Sequence, residues 1–193
     1  MQPITRTDVR SLEDYELMRA DFRQHVRDVK EPRRVAVGDA IALTFENRDT
    51  ALFQIQEMLR TERIFEPHRI QEEIDIYNDL VPGPNELVAT MFIEIADMDE
   101  LRRRLPQLVN VEHAVWLDLG AHQIHGQAEE GRSTEEKTST VHYLRFAVPP
   151  EAAAALRDPS QPARLRVDHP HYQATTELSP ATRRALADDL AAS

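Results

Sequence analysis

The chain has 193 residues, long enough to bury roughly 70% of its unfolded surface without a metal or disulfide staple. Its 34 acidic against 23 basic residues give a formal net charge of −11, which removes the electrostatic footprint of a general nucleic-acid binder. Zero cysteines exclude disulfides, thiolate zinc, iron–sulfur ligation and a thiol nucleophile, so any metal must be held by histidine and carboxylate.

The opening stretch MQPITRTDVRSLEDYELMRADF carries charges every few residues, and no run approaches membrane-spanning length. A cytoplasmic setting without a membrane partner is therefore expected. Ser11 and Asp14 have capping-box-like spacing, and Leu12, Tyr15, Met18, Phe22 and Val26 recur at helical intervals, predicting a helix from Ser11 to Asp28. Pro32 ends it. Val35, Val37, Ile41, Leu43 and Phe45 then alternate around Gly38-Asp39, as in a β-hairpin.

Asn47 or Asp49 caps a second helix with the apolar stripe Ala51, Leu52, Ile55, Met58 and Leu59. Pro67 starts a third, which turns Ile70, Ile74, Tyr77 and Leu80 inward. PGPN at 82–85 breaks the chain but is too short to be a linker, so residues 1–193 are expected to form one domain. Its two portions are an N-terminal helix, hairpin and helical pair (1–81) and a sheet-forming part (86–193).

Beyond PGPN the pattern reads strand Glu86 to Ile95, helix Asp99 to Leu108, strand Ala114 to Gln123, strand Thr138 to Val148, helix Pro150 to Leu156 and strand Ala163 to Asp168. HYQATTEL adds a strand, and Ser179 caps a terminal helix. The fold class predicted is α+β, mainly antiparallel, with ferredoxin-like strand-helix-strand repeats packed by the N-terminal helices. The loop from Gly126 to Lys137 is apolar-poor and is expected to be a mobile hairpin tip.

The helical pair carries many polar groups beside its apolar stripes. Gln56, Glu57 and Arg60 on the second helix and Glu73 on the third border those stripes, where buried polar groups need partners. Arg60 and Arg63 are near enough in sequence to supply them. If Leu117 pairs with Phe146 and Leu119 with Leu144, Ala121 opposes His142, and His125 lies further along the same face. Gln56, Glu57, Arg60 and Glu73 are then expected to converge with His142 in a cleft between helices and sheet. His125 and His142 with a carboxylate, Glu73 above all and otherwise Glu57 or Glu72, would suit zinc or iron.

Weaker signals are His68 and Glu72 at i, i+4, which also describes a surface contact, and Asp168-His169-Pro170-His171-Tyr172, which also describes a strand ending at a bend. No nucleophile elbow or glycine-rich phosphate loop is present in the sequence.

RRVAVGDAIALTFENRDTALFQIQEMLRTERI, IQEEIDIYNDLVPGPNELVATMFIEI, VHYLRFAV and VDHPHY resemble the bacterial family known as domain of unknown function 3501. The resemblance spans nearly the whole chain and brings no activity, cofactor or residue roles with it. It does imply company with a rubrerythrin-like protein and an iron–sulfur oxidoreductase, and hence a setting in peroxide defence or electron transfer. Two functions are therefore expected. One is an accessory protein of a redox or peroxide-defence system acting by protein–protein contact. The other is a small His/carboxylate metalloprotein or metal-dependent enzyme holding iron or zinc. A homo-oligomer is compatible with either.

Overall fold

A computed structural model describes residues 1–129 and 138–192. Its class is α+β, with two antiparallel sheets and an N-terminal helical segment. Helix α1 (Leu12–Lys30) starts at Ser11, whose hydroxyl accepts the Asp14 amide. It leads through a 3-10 turn at Pro32 into the hairpin β1 (Arg34–Val37) and β2 (Ile41–Glu46). Asn47 and Thr50 form a reciprocal capping box that starts α2 (Arg48–Thr61), and Pro67 opens α3 (Pro67–Asn78).

After PGPN come β3 (Glu86–Ile93), α4 (Met98–Arg104), β4 (Val115–Leu119), β5 (His122–His125), β6 (Gln127–Ala128) and β7 (Val141–Ala147). The chain closes with α5 (Pro150–Arg157), β8 (Ala163–His169), β9 (Tyr172–Glu177) and α6 (Pro180–Ala191). Two sheets result, in the orders β1-β2-β3-β7-β6 and β5-β4-β8-β9. The strand-helix-strand order predicted after residue 86 is present, but its strands are shared between the sheets. β3 pairs with β7 in one and β4 with β8 in the other.

The cause of that division is local. The strand expected from Ala114 to Gln123 is cut by Gly120, whose φ of 59° turns the chain back so that Leu117 faces Ile124 and Leu119 faces His122. The pairing of Leu117 with Phe146 and Leu119 with Leu144 is thereby overturned. Phe146 instead pairs with Leu87, Leu144 with Ala89, and His142 with Met91. The expected loop from Gly126 onward also begins as structure. β6 adds Gln127 and Ala128 to the edge of β7. Residues 130–137, the rest of that loop, lie outside the described residues.

β5 and β6 are one strand passing from one sheet to the other at Gly126, whose amide donates to Val115 O at 2.9 Å. Glycine is required there, because a Cβ would stand 2.9 Å from the Phe146 ring. At the opposite side Tyr172 of β9 donates its hydroxyl to Val37 O at 2.6 Å and accepts the Ala40 amide at 3.0 Å. Thr176 likewise donates to Ala36 O.

The main core fills the space between the sheets, with Leu43, Phe45, Met91, Leu117, Leu144, Phe146 and Leu165 at its centre. Leu156, Leu186 and Leu190 join it from α5 and α6, and Leu108 and Val111 from the 3-10 turns before β4. A second core lies between the helices and the outer face of the first sheet, built from Ile4, Ala51, Ile55, Leu59, Ile70, Ile74 and Val88.

Candidate functional site

The structure does not bring the expected residues into one cleft. Strand alternation places His142 on the same face as Leu144 and Phe146, toward the inter-sheet core, whereas α2 and α3 cover the other face. His142 is thus separated from Gln56, Glu57, Arg60 and Glu73 by the sheet itself.

The four helical residues are engaged elsewhere. Gln56 is buried and its Oε1 accepts the Arg10 amide at 2.6 Å, tying α2 to the N-terminal segment. Glu57 accepts both forks of Arg19 at 2.7 and 2.8 Å and the Tyr15 hydroxyl at 2.7 Å. The Arg19 guanidinium holds the Glu57 carboxyl down at about 2, against partial burial and with help from Tyr15. Burial, then the bond to Glu57, pushes the Tyr15 phenol up. Arg60 pairs with Glu16 at 2.5 Å. Glu73 is half-buried beside Tyr77, whose phenol is pushed up first by burial, then by Tyr143 and the Glu73 charge. Arg63, the partner expected from sequence proximity, is exposed at a positive φ of 52°.

The histidines separate as well. His125 is exposed on β5, its Nε2 2.6 Å from His113 O and its ring against Trp116. His68 and Glu72 are exposed on α3. His169 is buried, with Nε2 donating to Val109 O at 3.0 Å and Nδ1 accepting the His171 amide, so both ring nitrogens are used in a hairpin turn. Among the described residues no group of three or more His, Asp or Glu is gathered at metal-holding distance. The trio His125, His142 and Glu73 is accordingly not assembled.

One buried polar cluster escaped the sequence reading. Glu112, in a 3-10 turn over Val111–Ala114, is 2% exposed, and His142 is 1% exposed. The His142 Nε2 lies 2.8 Å from Ser139 O and 3.0 Å from Thr138 Oγ1. A carbonyl only accepts, so Nε2 carries the proton and a neutral ring presents a bare Nδ1. That Nδ1 stands 3.8 Å from Glu112 Oε1, beyond hydrogen-bond reach, and among the described residues neither it nor Glu112 Oε2 has a hydrogen-bond partner. His113 Nε2 is 4.0 Å from the same Oε1. The signal in the sequence was a glutamate set in the apolar run VNVEHAV, which has no period that would mark it as inward-facing.

A cleft of about 430 Å³ opens on the helical side, walled by Ile76, Tyr77, Leu80 and Tyr143 and edged by Asp79, Glu129 and Arg145. No helix among the described residues is long and apolar enough to cross a membrane.

A crystal structure titled as a novel protein of unknown function from Burkholderia pseudomallei K96243, at 1.90 Å resolution, is 36% identical and superposes with a TM-score of 0.90. The match covers 98% of this chain and all of that one. No curated protein matches the chain. The family model described as Protein of unknown function (DUF3501) matches residues 3–190, and the chain belongs to that family.

Proposed function

We propose that this chain is an accessory protein of a redox or peroxide-defence system and works by protein–protein contact through its helical layer. The observation that carries the reading is how that layer distributes its polarity. Its inward polar groups, Gln56 and Glu57, are satisfied within the chain, while apolar Leu17 on α1, Phe65 in the turn before α3 and Ile76 on α3 are 85%, 66% and 60% exposed. Large exposed apolar side chains on one layer are contact points that a partner protein could cover. The acidic surface would steer the encounter toward a partner with a basic patch.

The experiment is calorimetric titration of the purified chain against the rubrerythrin-like protein and the iron–sulfur oxidoreductase of the same organism. Saturable binding to one of them, lost in a Leu17→Asp/Ile76→Asp variant whose melt is unchanged, supports the reading. Absence of heat and of a shifted gel-filtration peak with both partners overturns it.

A further inference from the structure

We infer that Glu112, His142 and His113 form a binding site for a borderline divalent cation of the zinc or ferrous class, separate from the helical docking surface. The buried pair presents two acceptors to each other. With Nε2 committed to Ser139 O, a neutral His142 turns its Nδ1 lone pair toward the Glu112 carboxylate, and among the described residues neither Nδ1 nor Oε2 has a protein donor. Acceptors facing one another in a buried space are costly unless something positive lies between them.

The geometry matches a metal in three respects. First, ligand atoms bonded at 2.0–2.1 Å to a tetrahedral ion lie about 3.3 Å apart, and the observed 3.8 Å closes to that with a shift of a few tenths of an ångström. Second, a metal-bound imidazole typically donates its other N–H to a backbone carbonyl, which fixes tautomer and ring orientation. Ser139 O fills that role here, with Thr138 Oγ1 beside it. Third, His113 is adjacent in sequence to Glu112 and brings Nε2 to within 4.0 Å of Oε1. Its side chain is 53% exposed, so it can turn inward as third ligand without breaking core packing and gives the ion a route from solvent. Two imidazoles and a carboxylate leave a position for water, as in an open zinc or iron site.

The competing account is a proton on Nδ1, making an ordinary buried imidazolium–carboxylate pair. Untagged protein is stripped with chelator and titrated with Zn²⁺ by calorimetry and with Co²⁺ by visible absorption, while ¹⁵N chemical shifts report the His142 ring nitrogens. The inference expects one equivalent of ion, tetrahedral cobalt bands, and a Zn²⁺-dependent shift of Nδ1 alone. His113→Ala, an exposed change that keeps the fold, should weaken binding at least about tenfold, and Glu112→Gln should abolish it, while His68→Ala on α3 should change nothing. No stoichiometric uptake overturns the site, as does binding unaltered in His113→Ala. An Nδ1 that is protonated and indifferent to Zn²⁺ overturns it too, and that measurement stands even if Glu112→Gln fails to fold.

Discussion

Glu57 shows how a single side chain can hold two helices. Its carboxylate accepts three hydrogen bonds from α1, with both it and Arg19 only 23% exposed. Glu57→Gln should therefore cost about 1.5 to 3 kcal/mol at neutral pH, the range for hydrogen bonds to a charged group. The sign with pH follows from the depressed folded value. Glu57 adds stability above its unfolded pKa near 4.5, and that stability is lost as pH falls toward about 2. Urea melts of Glu57→Gln should show a shallower loss than wild type across that window, and equal slopes would refute the assignment. Tyr172→Phe is the second residue-scale case. It removes the donor to Val37 O and leaves the buried Ala40 amide unpaired, so a loss of about 1 to 3 kcal/mol is expected in the same melts.

Among the elements, the β5–β6 strand is tightly constrained, because it changes sheet at a glycine with no room for a Cβ. Gly126→Val should destabilise by about 1 to 3 kcal/mol through overpacking against Phe146, measurable as a lowered melting midpoint. A neutral result would mean that the strand bends elsewhere. Helices, caps and hairpins of this chain were legible in sequence because their determinants are local: Ser11, Asn47, Pro67 and Ser179 act within a turn of themselves. Sheet membership was not, since the turn at Gly120 that divides residues 114–125 is local, but the partners that assign the strands to sheets, β8 for β4 and β7 for β3, lie more than forty positions away. The site failed for the same reason. Glu57 finds Arg19, and His142 finds Glu112, across separations that no periodicity encodes.

At the scale of the whole molecule, β2 before the PGPN break pairs with β3 after it over six residues. Asp189 of α6 grips Arg33 with two bonds of 2.9 Å, closing the distance between distant parts of the chain. A single cooperative transition is expected, with fluorescence of Trp116 in one sheet and far-ultraviolet dichroism of the helices melting together. Two separated midpoints would show that the helical layer is autonomous. The strand shared at Gly126 has a further, kinetic consequence. The strand joins the edges of the two sheets, and the pairings β3 with β7 and β4 with β8 each close a long loop. Such closure costs chain entropy before it returns contact energy, so refolding is expected to be slower than that of a helical bundle built from local contacts, as stopped-flow fluorescence of Trp116 would show.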